Sequence, residues 1–535
     1  MNSNFQDLLQ DAVRDTIGPG ESLWAFRPEL TLCATILALL AVKMAWPRWS
    51  GSAFYVTLAG LAVAIFFADP WNLFQHGGVV PPAPIETFTG TMVFDTFTVF
   101  LRGLLLMFVL LFTTFTQAAG QQNQEDMTEF YVLMLGALVG MCLMISANHV
   151  LIVMLGVEMA SVPCYVLAGM QRYRPKASEA ALKYAVFGAG AAGVMLYGLS
   201  LLAGALGTAH LPTMAARLAQ LIESGGGAER TLVLALGGLM LMVGVAFKLS
   251  AFPFHFWAPD VFEGATAEVA AFLSVASKAA ALGLLVRLAL GFSFYPDPAA
   301  ISALGPVRQY IVALISLLAV ATCTFGNLAA YGQTNMKRLL AYSTIAHAGY
   351  MMMPVAAAVA LIGVDIVQAR EAIASLGVYL GIYLFMNLAA FAIVAFLRNA
   401  IQSEEIADYA GLVRSSPALT VCMALVMFSL VGLPPLAGFP AKLTIFLSLI
   451  KAKLWFVLAV GALNTVLSLF FYLRVVRVMV FSPEPLYRPV PRIPLNSMAG
   501  SYCAMLTVPV VALFFLVGGL MNWAQAASLT LLYSP

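Results

Sequence analysis

The sequence predicts an all-α integral membrane protein, and three observations support that fold class. Of the 535 residues, 61% are hydrophobic and only 10% are charged, whereas a soluble protein averages about 25% charged residues. Apolar stretches of about 20 residues, the length that crosses a bilayer, recur along the whole chain. No polar stretch between them is long enough for a soluble domain, so we expect one membrane domain over residues 1–535.

Fourteen apolar segments are predicted to be membrane helices by this length rule. They cover residues 30–46, 52–69, 93–117, 127–147, 149–169, 177–205, 231–257, 264–290, 309–331, 336–361, 372–398, 417–449, 453–480 and 499–525. We divide them into N-terminal helices 1–3 (1–125), a first five-helix unit (126–290), a second unit (309–481) and a C-terminal helix (482–535). Five crossings per unit make the second unit inverted relative to the first, an arrangement found in transporters.

Two predicted helices contain a break beside a lysine. In the seventh, the run 250–253 (SAFP) follows Lys248; in the twelfth, the run 432–438 (GLPPLAG) precedes Lys442. The residues that cannot donate a backbone hydrogen bond here are Pro253, Pro434 and Pro435. An isolated proline can mean only a kink, but irregular backbone at membrane depth is tolerated only where protein buries it or where it lines a water-filled cavity. Both breaks fall in the fourth helix of a unit, which favours the inverted repeat.

The distribution of basic residues predicts the orientation. Thirteen lysines and arginines gather at one set of helix ends and eight at the other, and the richer side is expected to be cytoplasmic or its organellar equivalent. Both termini would then face the opposite compartment. Residues 1–26 lack the basic start and short apolar core of a cleaved signal. We expect the chain in a bacterial inner membrane or an equivalent energy-transducing membrane.

Charged residues deep inside the apolar segments predict the function. A charged side chain at the bilayer centre costs about 2.5–3.5 kcal/mol even on the helix-insertion scale, which gives the lowest values. Charged residues at this depth usually mark ion or proton paths. A buried lysine can release its proton, whereas arginine stays charged. We therefore predict a proton relay, and its members are Glu158, Lys183, Lys248, Lys278 and Lys442. A structural ion pair for Glu158, and a Lys183 that reaches the interface beside Glu179, are the alternatives.

Other polar residues give weaker evidence of a functional role. His255 and His347 are candidate helpers of the relay or hydrogen-bonded packing residues. Asp95 and Arg102 lie two turns apart on one helix and are expected to form a structural pair. The six cysteines show no C-x-x-C spacing and the five histidines no H-x-x-x-H pair, so we expect packing cysteines and neither metal nor cofactor in this chain.

Six sequence blocks occur in the order known from one family of membrane proteins. They read NHVLIVMLGVEMASVPCYVLAG, SEAALKYAVFGA, AFKLSAFPFHFWAPDVFEGA, AAFLSVASKAA, QTNMKRLLAYSTIAHAGYMMM and GLPPLAGFPAKLTIF. With these blocks the chain resembles the antiporter-like subunits of respiratory complex I over roughly residues 90–480, and most closely the smallest of the three. The resemblance implies fourteen helices, broken seventh and twelfth helices and two inverted units.

The resemblance also implies a role for the matching residues. The family's functional residues fall on Glu158, Lys183, Lys248, Lys278 and Lys442. Two positions depart from the family pattern. Glu268, a further candidate near Lys278, stands where a threonine- and proline-rich sequence is usual, and Ser277 stands where a proline often precedes the lysine.

The resemblance implies a proton-translocating subunit of an NADH:quinone oxidoreductase that has no redox centre of its own. NADH, FMN, iron–sulfur clusters and quinone are expected in partner subunits. The expected partners are the other membrane and peripheral subunits, further antiporter-like subunits among them, and the lipid bilayer, but no nucleic acid. Lys278 would be loaded from the cytoplasmic side with Lys183 and His255 as helpers, Glu158 and Lys248 would form a switchable pair, and bridging waters would complete the path.

Four other functions fit part of the sequence. A subunit of a multi-subunit cation/proton antiporter shares these motifs but has no redox partner, and a membrane-bound hydrogenase-type complex is a second relative. A small-molecule transporter would need a cavity wider than a file of waters. An inert scaffold would tolerate the loss of Lys278 or Glu158.

Overall fold

The computed structural model describes residues 16, 22–46, 49, 51–71, 73, 84–120, 127–171, 173–225, 227–485 and 488–532. Twelve helices within these ranges are long and apolar enough to cross a membrane, which confirms the predicted all-α membrane class. Two further apolar helices, at Ser52–Ala68 and Pro417–Val431, are shorter. The count of fourteen crossings therefore stays a prediction, as does the division into two inverted units.

The first half of the chain contains twelve helices and one hairpin in its described residues. The helices are α1 (Ser22–Ala25), α2 (Arg27–Ala45), α3 (Ser52–Ala68), α4 (Thr96–Ala119), α5 (Met127–Ser146), α6 (Val150–Ala168), α7 (Pro175–Leu206), α8 (Leu211–Glu223), α9 (Ala228–Leu249), α10 (Trp257–Gly264), α11 (Ala267–Phe272) and α12 (Lys278–Ser293). Strands β1 (Ile85–Thr87) and β2 (Met92–Phe94) pair antiparallel between α3 and α4. Hydropathy missed the hairpin and α8 because both are shorter than a membrane crossing.

The second half of the chain is also helical in its described residues. Its helices are α13 (Pro298–Ala303), α14 (Gly305–Ala330), α15 (Met336–Leu361), α16 (Ile366–Ile401), α17 (Leu412–Ser415), α18 (Pro417–Val431), α19 (Gly438–Lys451), α20 (Trp455–Phe481), α21 (Met498–Phe515) and α22 (Val517–Ser528), with a 3₁₀ turn at Ile406–Tyr409.

Four helices, among them those that carry Lys278 and His347, form the buried centre of the molecule. Helices α11, α12, α15 and α16 are buried along nearly their whole length, whereas α2, α7, α14 and α20 expose much of their surface. Small residues allow the close packing. At the crossing of α14 and α15, a Cβ on Gly326 would lie 2.6 Å from the backbone nitrogen of Ala346, and one on Gly349 would lie 2.6 Å from that of Cys323. Five cysteines are buried, and Cys33 is exposed.

The predicted break in the seventh segment is present, and it shortens the helix. Helix α9 ends at Leu249, and Ser250 adopts the left-handed conformation with φ 55°. The chain is irregular until α10 begins at Trp257. The predicted bounds 231–257 were therefore too long at the C-terminal end, because hydropathy does not register the loss of helical geometry around Pro253.

The twelfth segment is two helices rather than one. Helix α18 ends at Val431, Gly432 is left-handed with φ 89°, and α19 begins at Gly438. A left-handed residue therefore ends the helix that precedes each break. The peptide bonds before Pro253 and Pro435 are both cis.

The eighth predicted segment, 264–290, also differs in detail from the structure. Helix α11 starts at Ala267, and the five residues Leu273–Ser277 form a π-helical turn that leads directly into Lys278. A π turn inside an α-helix is rare and frequently lies at a functional site. It follows that the surroundings of Lys278 include a local change of helical register that hydropathy could not show.

The expected pair of Asp95 and Arg102 was wrong. Asp95 forms a 2.6 Å ion pair with Arg287 of α12, and Arg102 forms a 2.9 Å pair with Glu29 of α2. Each residue points to a different neighbouring helix, so tertiary packing decided the pairing. Burial alone would raise the pKa of Asp95, which lies just before α4, but the Arg287 guanidinium and the hydrogen bonds from Arg287 and Thr98 hold it below its usual value.

We expect Asp95→Asn to destabilise the fold by about 3–5 kcal/mol, because the change leaves Arg287 buried without its counter-charge. Since the folded pKa is lowered, the carboxylate stabilises the fold above the unfolded value of about 3.9 and loses this effect as the pH falls through the folded value. Thermal unfolding of the purified protein in detergent measures both effects. The exposed helix cap Asp297 supplies the control Asp297→Asn, and equal losses of Tm in both variants would contradict the prediction.

Candidate functional site

Lys278 lies at the centre of the molecule and contacts the end of a broken helix. Its side chain is 1% exposed. The Nζ donates to the carbonyl oxygens of Leu249, at 2.9 Å, and Thr344, at 3.2 Å. Leu249 is the last residue of α9, and the last carbonyls of a helix lack intrahelical donors and carry the negative end of its dipole. The break therefore creates an acceptor for a buried cation.

Lys442 has the same relation to the second break. Its Nζ donates to the carbonyl of Val431, the last residue of α18, at 2.9 Å. The same amine lies 4.5 Å from the centroid of the Tyr350 ring, a geometry that stabilises the ammonium form through the ring electrons. Lys278 and Lys442, which we call the helix-end lysines, thus share one construction.

A tyrosine–histidine cluster fills the space between the helix-end lysines. Its members are His347, Tyr350, Tyr379, Tyr383 and Tyr472. His347 Nδ1 lies 2.7 Å from the hydroxyl of Tyr379 and Nε2 lies 3.2 Å from that of Tyr472. On α15, Thr344, His347 and Tyr350 follow one another at intervals of three residues, so one helix face contacts first Lys278, then the cluster, then Lys442.

Lys248 and Glu158 line one cavity without touching. The cavity of about 10 Å³ also contacts Ser161, Tyr165 and Gly188, and this volume suits about one water molecule. Within the described ranges, neither Lys248 Nζ nor Glu158 Oε1 has a hydrogen-bond partner. The two residues therefore lie on opposite sides of a small space, at more than ion-pair distance, and the switchable pair stays a prediction. Lys248 directly precedes Leu249, the acceptor for Lys278.

Lys183 belongs to an ionic cluster at one end of α7. Its Nζ lies 2.7 Å from both Glu179 and Asp260. Asp260 also pairs with Arg338 at 2.7 Å. The second acid of α10, Glu263, lies 2.9 Å from Arg338 and 2.8 Å from Lys176. We call Lys176, Lys183, Asp260, Glu263 and Arg338 the ionic cluster.

The ionic cluster fixes the charge state of its acids. Burial would raise the pKa of Asp260, but hydrogen bonds from Lys183 and Arg338 lower it below its usual value. The Lys183 side chain is 37% exposed, so the alternative that it reaches the interface agrees with its position. Sequence reasoning missed Asp260; the spacing of two acids in WAPDVFEG after a break was the available signal.

Lys337 is a buried cation that the sequence did not single out. It lies in the first turn of α15, where a lysine is expected to reach the aqueous interface, yet its side chain is 1% exposed. Its Nζ donates to the carbonyl of Ala265 at 2.7 Å and lies 3.0 Å from Glu404. Glu268 is buried as well, at 2% exposure. Neither oxygen of Glu268 has a hydrogen-bond partner in the described part of the chain.

The two histidine candidates have different surroundings. His347 joins the tyrosine–histidine cluster, as described above. His255, 2% exposed, lies in the first break with its ring centroid 4.2 Å from that of Phe325 and 5.6 Å from that of Phe252. Its Nδ1 finds no partner among the described residues. His255 is therefore packed against aromatic rings rather than joined to the lysines.

The fold and the buried charges define an antiporter-like membrane protein with broken helices. A family model described as NADH:quinone oxidoreductase/Mrp antiporter, TM, matches residues 147–468. A relative from Rhodospirillum rubrum, NADH-quinone oxidoreductase subunit N, is 37% identical over 463 residues, which are 85% of this chain and 88% of the relative. A second subunit N, from Sorangium cellulosum, is 37% identical over 92% of this chain and 94% of its own length.

A solved structure agrees with these sequence relatives. In respiratory complex I from Thermus thermophilus with bound aureothin, one chain superposes with a TM-score of 0.71 at 30% identity and covers 92% of this chain and 97% of its own. The chain belongs to the NADH:quinone oxidoreductase/Mrp antiporter transmembrane family. The resemblance to the antiporter-like subunits of complex I, and to subunit N among them, is confirmed.

Proposed function

We propose that this chain carries protons across an energy-transducing membrane as a subunit of an NADH:quinone oxidoreductase, through buried acid and amine groups. The observation that carries the proposal is the shared construction of the helix-end lysines. Lys278 and Lys442 each donate to the last carbonyl before a helix break. The tyrosine–histidine cluster supplies hydroxyl and imidazole groups between them.

Two opposing effects make these amines suitable for proton exchange. Burial removes water from the ammonium ion and disfavours its charge. The helix-end carbonyl and, at Lys442, the Tyr350 ring favour the charge. A small change in the position of either contact then shifts the balance between the ammonium and the neutral amine.

The order of the groups suggests a path. The ionic cluster, with Lys183 exposed in part, would collect protons at the predicted cytoplasmic end. Glu158 would hold the proton on Lys248 when a bridging water joins them and release it when they separate. Lys278 would receive the proton beside Leu249, and Lys442 would deliver it to the far side.

The remaining parts of the proposal concern the assembly. Redox chemistry in partner subunits, with NADH, FMN, iron–sulfur clusters and quinone, would supply the energy. Both termini would lie on the non-cytoplasmic side of a bacterial inner membrane or its equivalent, with further antiporter-like subunits as neighbours. The Thermus thermophilus relative supports this setting, since it was solved within respiratory complex I.

A cation/proton antiporter subunit is the second candidate. A chain of the Mrp complex from Dietzia sp. superposes with a TM-score of 0.76, but at 18% identity this likeness concerns the fold alone. The two functions differ in their energy source. Proton flux that needs NADH and quinone but not sodium supports the first, and sodium-dependent flux without NADH supports the second.

We expect Glu158→Gln to slow proton uptake through this chain roughly tenfold, equivalent to about 1.4 kcal/mol, because the neutral amide cannot hold a charged Lys248. Proton uptake and NADH oxidation are measured together in vesicles that contain the assembled complex, with and without sodium. The control is Glu371→Gln, which removes an exposed acid paired with Lys451. Normal proton uptake per NADH in Glu158→Gln would contradict the relay. In the unmodified complex, proton uptake that is unchanged when sodium is removed would exclude the antiporter function.

A further inference from the structure

A large apolar cavity lies apart from the buried lysines. Its volume is about 510 Å³, and α7, α8, α9, α12 and α14 supply its walls. Sites for small molecules and cofactors commonly measure about 300–1,000 Å³. Nothing in the proposed proton path uses this cavity, because the described ionisable relay residues line other parts of the molecule.

The cavity has the length and polarity of a hydrocarbon chain. Along α9 its lining runs from Thr231 to Val245, which is about 21 Å at 1.5 Å per residue. Along α14 it runs from Pro306 to Ile315, and the lining residues of both helices are almost all aliphatic or aromatic. A long, narrow, apolar space of this kind suits an acyl chain better than a polar substrate.

The helices that line the cavity also carry surfaces that face outward. Leu232, Leu236 and Leu239 of α9 and Leu317 of α14 are exposed by 45–70%, as expected for residues in contact with lipid. The amphipathic helix α8 covers one end of the cavity with Leu218, its hydrophobic face being buried. A short amphipathic helix of this kind typically lies in the plane of the interface, at the level of lipid headgroups.

A half-buried arginine near this end of the cavity has no counter-charge in the described part of the chain. Arg308 lies one turn into α14 and two turns before Ile315, on the same helix face. It is half-buried, and none of the ion pairs among the described residues includes it. Its guanidinium makes one long hydrogen bond, 3.4 Å, to the carbonyl of Ser293, next to the lining residue Phe292.

The nearest acid on each side of Arg308 in the sequence caps a helix. Asp297 caps α13 by accepting from the backbone nitrogen of Ala299, and Asp365 caps α16 by accepting from those of Val367 and Gln368. The guanidinium therefore keeps donors for an external anion. Arginine binds phosphate through paired donors in a fixed fork.

We propose that this cavity is a binding site for an anionic phospholipid. One acyl chain fills the space between α9, α12 and α14, and the phosphate contacts Arg308. The site is separate from the proton path, so the proposal does not depend on the proposed function. Its occupancy would hold α8 and α14 together at the membrane surface.

Labelling with a photoreactive lipid tests the proposal. The complex is isolated through a tag on this chain and placed in phosphatidylcholine nanodiscs that contain phosphatidylglycerol with a diazirine at the end of one acyl chain. We expect cross-links within Thr231–Val245 and Pro306–Ile315, and at least about tenfold fewer with phosphatidylcholine that carries the same label. Arg308→Gln should reduce labelling by phosphatidylglycerol to a similar extent, and Arg308→Lys, which keeps the charge but loses the paired donors, should retain only part of it.

A second variant tests the cavity without touching the charge. A Cβ on Gly238 would meet only Tyr310, at 3.6 Å, so the added side chain of Gly238→Leu extends into the cavity and should prevent labelling. The control Gly193→Leu adds the same group to an exposed face of α7, where nothing lies within 4 Å, and should label normally. Unlabelled cavity peptides, equal labelling by both lipids, full labelling of Arg308→Gln, or a neighbouring subunit cross-linked inside the cavity would each overturn the proposal.

Discussion

We expect Lys278→Met to stop proton movement through this chain while the complex still assembles. Methionine has a similar length and no charge, so it fills the space at the π turn but removes the amine that contacts Leu249 and Thr344. A proton that crosses the middle of the membrane without a binding site meets an added barrier of about 2.5–3.5 kcal/mol, on the scale obtained from helix insertion. That barrier corresponds to roughly a hundredfold slower transfer.

The measurement is the ratio of protons taken up to NADH oxidised, in vesicles with the assembled complex. The ratio should fall by the share that this chain carries. Lys451→Met is the matched control, because Lys451 is an exposed lysine at the end of α19, paired with Glu371, and it should behave as the unmodified complex does. A normal ratio and a normal rate in Lys278→Met, in a fully assembled complex, would favour the inert scaffold.

We expect Lys442→Arg to block proton delivery almost as completely, although it keeps the positive charge. Arginine retains its proton under all physiological conditions. If Lys442 only caps α18 and contacts Tyr350, an arginine can replace it. If Lys442 must release a proton, an arginine cannot replace it. The expected loss is again of the order of a hundredfold in transfer through this chain, since the barrier at an occupied, non-releasing site is similar.

Comparison with Lys442→Met separates charge from proton release. Both variants should lower the proton-to-NADH ratio, and their assembly is checked from the subunit composition of the purified complex. The added bulk of arginine is a structural concern, because a Cβ on the neighbouring Gly432 would already lie 3.1 Å from the Lys442 side chain. Normal pumping by Lys442→Arg, together with loss in Lys442→Met, would show that the positive charge at this site is sufficient and would refute a releasing role.

Pairings between helices were the weakest part of the sequence-based prediction. Asp95 pairs with Arg287, which is 192 residues away in the sequence, and not with the neighbour predicted from spacing. Periodicity shows which residues share a face of one helix, but not which helix that face meets.

Burial at helix ends was also hidden from the sequence. Lys337 occupies the first turn of α15 and therefore looked like an interfacial lysine, yet the loop at Glu404 and the carbonyl of Ala265 enclose it. Tyr350, Tyr379 and Tyr472 looked like ordinary aromatic residues of membrane helices. They became site candidates only when the structure placed their hydroxyls and rings beside His347 and Lys442.

The sequence by itself determined the membrane class, the position of most helices and the two breaks. It could do so because hydrophobicity, helix length and the missing donor of proline act over a few neighbouring residues. Only the tertiary structure decided that Lys278 reaches the end of α9, that Lys442 reaches the end of α18, and that one face of α15 joins them. Those contacts depend on how separate helices pack, and packing is a property of the whole chain rather than of any segment.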